Sequence, residues 1–349
     1  MKGLNFILKE CTSLRYFVPV IEEAKNRGIK SNFFIGKSRK YNCPSIEKNK
    51  KELGSIIDFY KMGAYSLGSD KITASQGDVT ITTEGVGIEH INKDLFNISM
   101  SSMTDFTVSY KNYVDHVDHV LLPSEFMAKH YHDMKVYPID NTPAGGTNTE
   151  KNIYFGSTKY DINLNNFSYG LRHVPKNKLK LLFFAPNRND TVSYRIFDKL
   201  LSLLSKNDNF TITVKSRGKH PVPAKLRGDA YFEDNHWYPH TSMVLINESD
   251  FVITFGSTVT KECVMLSKPF ANIDMKKFKH LDFLKSSSCI RIEEENIDYK
   301  SFIENIFEVV KRDNTEEFYD LRSKYLFNEP VGNVSKKLLD FCTKNAASK

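Results

Sequence analysis

The chain has 349 residues, 40% hydrophobic and 26% charged, which is long for a single core and comfortable for two domains. No apolar run is long enough to cross a bilayer, and the opening Met1-Lys2-Gly3-Leu4-Asn5-Phe6-Ile7-Leu8 is too short and too soon charged for a signal peptide, so a cytoplasmic protein is expected. A net charge of +7 and a pI near 8.9 suit anionic substrates or peripheral attraction to a membrane surface, but the lysines are dispersed, no aromatic residues interleave with a basic stripe, and nucleic acid is excluded as a partner.

Taken in chain order, the pattern is one of alternating strands and helices. Leu4 to Leu8 reads as a strand, Leu14 to Asn26 as a helix closed by Gly28, and Lys30 to Ile35 as a second strand, which makes a βαβ beginning and implies a parallel sheet. Further strands are expected at Val79 to Thr83, Leu95 to Met100 and His119 to Leu122. The last runs into Pro123-Ser124-Glu125 and a helix from Phe126 to Met134, with Ser124 as N-cap. Ile153 to Thr158 reads as a last strand, and the polar stretch from Asn163 to Lys178 as a linker, giving a first domain over 1–165 and a second over 176–349. Beyond it the alternation restarts: strands at Leu179 to Ala185, Phe210 to Lys215 and Phe251 to Phe255, helices at Val192 to Leu204 and Tyr238 to Glu248. Helices at Tyr299 to Lys311, Thr315 to Tyr325 and Val334 to Cys342 close the chain. Five cysteines (Cys11, Cys43, Cys263, Cys289, Cys342) have no CxxC spacing and fit neither a disulfide framework nor a zinc site.

The most informative stretch runs from Asp250 to Pro269. A buried strand enters the turn Gly256-Ser257-Thr258 and a helix begins, so backbone N–H groups and small hydroxyls meet at the carboxyl edge of the sheet, a geometry that suits a phosphate. Glu262, about a turn into that helix, has the reach to accept from a ribose diol. The plainer reading, a capped helix with Glu262 favouring its dipole, stays open on these residues alone.

This stretch resembles the nucleotide-binding segment of the second domain in the GT-B superfamily, which includes many glycosyltransferases, UDP-N-acetylglucosamine 2-epimerases and the CDP-glycerol glycerophosphotransferase group. Other segments agree in order. Phe155-Gly156-Ser157-Thr158-Lys159-Tyr160-Asp161 resembles the step before the interdomain linker. Phe183-Phe184-Ala185-Pro186-Asn187-Arg188-Asn189-Asp190 is similar to the strand and basic loop opening the second domain, and Pro330-Val331-Gly332-Asn333-Val334-Ser335 to the ending before the last helix. The resemblance implies an α/β fold of two Rossmann-like domains facing a central cleft, with a C-terminal helix packing back across them. It implies that Gly256, Ser257, Thr258 and Thr260 line the donor phosphates and that Glu262 holds the ribose. Two loops that follow strands, Asn187-Arg188 and Lys215-Ser216-Arg217, place Asn187, Arg188, Lys215 and Arg217 where a cation would offset charge on a departing nucleotide. Trp237, the single tryptophan, fits a base-stacking role and equally a packing role.

A catalytic base is expected from the first domain, from Glu84 in Thr83-Glu84-Gly85, Asp105 after Met103-Thr104, or Glu10 in the first βα loop, with Glu84 first among them. His116 and His119 have a spacing that suggests metal ligands only until the pattern crosses from a helix end into a strand. A GT-B-like site needs no metal, and no cofactor is expected. The reading that follows is transfer of a sugar from a UDP-, CDP- or CMP-linked donor to a glycan or glycolipid acceptor, by an inverting, metal-independent route. A nucleotide-sugar 2-epimerase, a glycerophosphotransferase and a non-catalytic binder of the same fold are the alternatives. The epimerase pattern wants a histidine-containing basic loop where this chain has Pro186-Asn187-Arg188.

Overall fold

A computed structural model describes residues 1–8, 14–35, 78–83, 91–100, 114–126, 149–164, 168, 177–216, 221–233, 240–277, 284–326 and 333–349. By contacts the chain divides into two compact units. Unit 1 holds Met1–Ile162 and Ser323–Lys349; unit 2 is built from the chain between them. Ser323–Lys349 thus group by contacts with the N-terminal part of the chain.

Among its described residues unit 1 has one parallel sheet of β1 (Gly3–Leu8), β2 (Lys30–Ile35), β3 (Val79–Thr83), β4 (Phe96–Met100), β5 (His119–Leu122) and β6 (Asn152–Tyr154), in the order β2-β1-β3-β4-β5-β6. The strand expected over 153–158 stops at Tyr154. Gly156 then takes φ 98, a left-handed conformation that strands do not use, and a 3-10 turn follows over Thr158–Tyr160. Helix α1 (Leu14–Asn26) forms as its apolar spacing predicts, burying Leu14, Phe17, Val18, Ile21 and Ala24. It ends in a Schellman arrangement: Gly28 at φ 69 lets the Ile29 amide turn back to the Ala24 carbonyl at 2.8 Å and its own amide to Lys25 at 3.0 Å. One face of the sheet is apolar. Phe6 packs on Phe17 with ring centroids 5.0 Å apart, and Phe96 on Phe341 of the C-terminal helix at 6.0 Å.

Unit 2 has a second parallel sheet of β7 (Leu179–Phe184), β8 (Phe210–Lys215), β9 (Ala230–Phe232), β10 (Phe251–Thr254), β11 (Phe270–Ile273) and β12 (Cys289–Ile292), in the order β12-β11-β10-β7-β8-β9. Helices α2 (Thr191–Leu204), α3 (Thr241–Glu248), α4 (Thr260–Met265), α5 (Tyr299–Lys311) and α6 (Thr315–Leu321) surround it. Asp190 caps α2 by accepting from the Ser193 amide at 3.2 Å, and Asp298 caps α5 by accepting from Lys300 and Ser301. Leu181, Phe183, Phe251, Ile253, Ala271 and Ile273 form one core with Ile196, Phe197, Leu200 and Leu204 of α2 and Phe302 and Ile306 of α5. The helix expected over 315–325 is α-helical only to Leu321 and continues as a π-helical turn over Arg322–Leu326, after which α7 (Val334–Ala346) belongs to unit 1.

The two sheets with their helices make this an α/β protein of two Rossmann-like domains.

Candidate functional site

The strand order of unit 2 decides where a ligand would sit. Renumbered from its own first strand, β12-β11-β10-β7-β8-β9 is the 3-2-1-4-5-6 order read from the other side, and the direction of winding reverses between β7 and β10. In open parallel sheets, ligands bind outside the carboxyl ends of the strands at that reversal. The loops leaving there are Ala185–Asp190 after β7 and Phe255–Val259 after β10, the segments singled out in the sequence.

The β10 loop has the backbone that the sequence suggested. Gly256 takes φ 51, a left-handed conformation that costs other residues about 1–2 kcal/mol. This turns the chain sharply off the strand and into α4. The first turns are held by Lys261 N–H to Thr258 O at 3.0 Å and Glu262 N–H to Val259 O at 3.0 Å. Ser257 Oγ accepts from the Val259 amide at 3.4 Å. Among the described residues, the amides of Ser257 and Thr258 have no hydrogen-bond acceptor. Thr260 spends its hydroxyl internally, donating to Ser257 O at 3.0 Å, and is fully buried. Glu262 is buried at the first turn of α4, close enough to Cys263 for its charge to help raise that thiol's pKa, which burial raises first.

The β7 loop is a tight Asx-type turn. Asn187 accepts from the Asn189 amide through Oδ1 at 3.0 Å and from the Asp190 amide through its carbonyl at 2.9 Å, so its side chain shapes the loop. Arg188 is exposed on the turn, and its charge acts on the hydroxyl of Tyr194, whose pKa burial raises. Lys215 ends β8 and is 4% exposed. Its Nζ lies 3.5 Å from the Ser216 carbonyl and 5.9 Å from the centre of the Phe184 ring. Among the described residues of these loops, Arg188 faces solvent and Lys215 turns inward.

Three residues at this edge escaped the sequence reading. Lys276, just past β11, bridges to Asp190 at 3.3 Å and so lies beside the β7 loop. Thr254 and Asn272 are in register on β10 and β11, 0% and 2% exposed, and among the described residues Thr254 Oγ1 and Asn272 Oδ1 have no hydrogen-bond partner. A threonine at the end of Phe-Val-Ile-Thr and an asparagine one residue before the end of Phe-Ala-Asn-Ile, each in an otherwise apolar strand, were the available signal.

Arg217 and Trp237 lie outside the described residues, as do Glu10, Glu84 and Asp105 and the turn at 330–332. Of the two histidines weighed as metal ligands, His116 is exposed on a 3-10 turn. His119 stacks edge-on against Phe341 at 5.0 Å, with Nδ1 3.3 Å from the Lys151 carbonyl. Ser124, expected to cap a helix, donates its hydroxyl to the Lys324 carbonyl at 3.0 Å.

No protein-family model matches the chain, and no curated protein matches it significantly. Solved structures do. A protein of Listeria monocytogenes assigned as a UDP-N-acetylglucosamine 2-epimerase aligns with a TM-score of 0.62 at 10% identity, over 97% of this chain and 94% of that one. The glycosyltransferase of kitacinnamycin aligns at 0.58 and 9% identity, over 98% of each chain. The wall teichoic acid polymerase TagF, in a variant soaked with CDPG, aligns at 0.63 and 12% identity, over 99% of this chain and 90% of that one. At such identities the likeness is one of fold: two Rossmann-like α/β units like those of these structures, over nearly the whole chain.

Proposed function

We propose that this protein is a glycosyltransferase that moves a sugar from a nucleotide-activated donor to a glycan or glycolipid acceptor in surface polysaccharide synthesis. The observation that carries the reading is the Gly256-Ser257-Thr258 turn. It combines a left-handed glycine with two unengaged amides at the winding reversal of the sheet. Amides there donate to an anionic oxygen without being dragged out of an existing bond, which favours a phosphate. Arg188 supplies positive charge at the adjacent loop, joined in this reading by Arg217, while Glu262 accepts from the ribose. Asn187 and Thr260 then act by shaping the two loops, and Lys215 by supporting the β8 end from below. Acceptor deprotonation falls to a carboxylate of the first domain, Glu84 ahead of Asp105 and Glu10, and the departing nucleotide is stabilised by amides and cations without a metal. The names of the structural neighbours, a UDP-sugar epimerase, a glycosyltransferase and a polymerase soaked with CDPG, support a nucleotide-linked substrate. No helix of the described residues is long and apolar enough to cross a membrane. A membrane-borne acceptor would therefore be met at the surface, where the net charge of +7 favours anionic headgroups.

The test is a thermal-shift screen against UDP, CDP, CMP, GDP and ADP, with Glu262→Ala in parallel. One nucleotide is expected to stabilise the protein, by about 2.7 kcal/mol at a hundred times its Kd, and to lose that effect in the variant. No stabilisation by any nucleotide at millimolar concentration would remove the donor site. With the nucleotide known, release that rises with added acceptor distinguishes transfer from isomer exchange, the signature of an epimerase.

A further inference from the structure

The sheet of unit 1 has one apolar face and one that carries a row of polar side chains. Asn32, Asn5, Thr80 and Asn97 stand on β2, β1, β3 and β4, and each is in register with the next: Asn5 with Asn32, Asn5 with Thr80, Thr80 with Asn97. Paired residues of parallel strands point to the same face, and neighbouring strands are about 4.8 Å apart, within reach of a side-chain hydrogen bond. All four are buried, at 4%, 0%, 0% and 2% exposure along the row. Four such groups in a sheet interior lose water's hydrogen bonds and must find each other.

Both ends of the row are already engaged. Asn32 Nδ2 donates to Asn5 Oδ1 at 3.1 Å, and Asn97 Nδ2 donates to the carbonyls of Asn92 and Leu95 at 2.9 and 2.6 Å. Among the described residues, three atoms between them lack partners: Asn5 Nδ2, Thr80 Oγ1 and Asn97 Oδ1. In spatial order these are a donor, a hydroxyl able to accept and donate, and an acceptor. Their chemistry is complementary in the one sequence that would close the gap.

We infer that Asn32, Asn5, Thr80 and Asn97 form a single hydrogen-bonded ladder that locks the register of four parallel strands. A turn of the Asn5 amide group and the Thr80 hydroxyl closes it, Asn5 Nδ2 then donating to Thr80 Oγ1 and the Thr80 hydroxyl to Asn97 Oδ1. The ladder does what the apolar face does not. A slip of two residues keeps every hydrophobic side chain on its own face, but it would set Asn32 opposite Gly3 or Ile7 and strand the amide. The polar row thereby supplies a penalty for wrong register that hydrophobic packing lacks. Beside its far end, the backbone N–H of Asn97 donates to Asp118 Oδ2 at 2.7 Å, and Asp118 also accepts from Lys349 Nζ at 2.7 Å. The strands so locked include β1 and β3, from which the chain leads on to Glu10 and Glu84.

The experiment compares Thr80→Val, which keeps the shape and removes the hydroxyl, with Thr80→Ser, which keeps the hydroxyl and removes a methyl. Thermal unfolding of the full chain is followed by circular dichroism. A closed ladder predicts that the valine variant unfolds about 4–8 °C below the parent and clearly below the serine variant, because two amide groups lose their partner at once. A valine variant that fails to fold while the serine variant folds gives the same answer. A valine variant as stable as the parent, or more stable, would mean that the Thr80 hydroxyl is an orphan and would overturn the ladder. A serine variant at least as damaged as the valine one would overturn it too, since the hydroxyl is retained.

Discussion

Gly256→Ala puts strain where the proposed phosphate seat is. At φ 51 an added Cβ meets its neighbouring carbonyl, a cost of about 1–2 kcal/mol that alanine relieves by unwinding the turn. For a unit of this size each kcal/mol lowers the unfolding temperature by roughly 2–4 °C, so a fall of about 2–8 °C is expected. Binding should suffer more. A hydrogen bond to a charged group contributes about 1.5–3 kcal/mol, and swinging one of the Ser257 and Thr258 amides away from a phosphate would weaken a nucleotide by roughly 10- to 150-fold. Gly28→Ala is the matched control. It has the same kind of backbone, φ 69, with nothing within 4 Å of the added Cβ, and it lies in unit 1 at the end of α1. Calorimetric titration of each variant with whichever nucleotide stabilises the parent separates the effects: both variants lose stability, and only Gly256→Ala loses affinity. If Gly256→Ala binds as the parent does while its stability falls, the turn is a structural corner and the phosphate seat lies elsewhere.

Three further outcomes are expected. Phe197 is fully buried, with ring centroids 5.7 Å from Phe183 and 5.9 Å from Phe255, so Phe197→Ala should cost about 3–5 kcal/mol in urea denaturation, and a loss below 1 kcal/mol would show that the core closes over the gap. Burial pushes the Cys342 thiol up to about 12 and raises Cys263 as well; iodoacetamide at pH 8, mapped by mass spectrometry, should leave both unmodified until denaturant is added, whereas rapid native labelling of Cys342 would mean that α7 detaches from unit 1. Burial also lowers the pKa of His119, ahead of the opposing effects of the Lys151 carbonyl and Asp118. A histidine held neutral in the folded state takes up protons more readily when unfolded. Its contribution is therefore present above the unfolded pKa near 6.5 and lost as pH falls below it towards the folded value. The stability of His119→Gln should vary less with pH between 7 and 5 than that of the parent, and an unchanged pH dependence would refute the assignment.

Most of the secondary structure was legible because it is local. The apolar spacing of Leu14 to Asn26, stopped by Gly28, specifies α1 whatever surrounds it, and runs such as Val79 to Thr83 and Phe210 to Lys215 have the composition of strands buried on both faces. The alternation of those elements was enough to name two parallel α/β domains, and Gly256 after an apolar strand was enough to mark a turn. Where local signals were weak, the reading failed in small ways. The 153–158 strand ends at Tyr154, two residues before the left-handed Gly156, and the helix begun at Thr315 gives way to a π turn that no periodicity announces.

What the residues could not declare by themselves depends on partners distant in sequence. Which strands are neighbours decides that β7 and β10 flank the winding reversal, and hence that loops some seventy residues apart adjoin. The burial of Lys215 beside Phe184 turned a basic loop residue into an internal one, and a carbonyl three residues back claimed the Thr260 hydroxyl. Asn5, Asn32, Thr80 and Asn97 look like unremarkable polar interruptions in four separate strands. Only the register of the folded sheet brings them into one row, because hydrophobic pattern fixes which face a side chain takes while hydrogen-bonded pairing between strands fixes whom it meets.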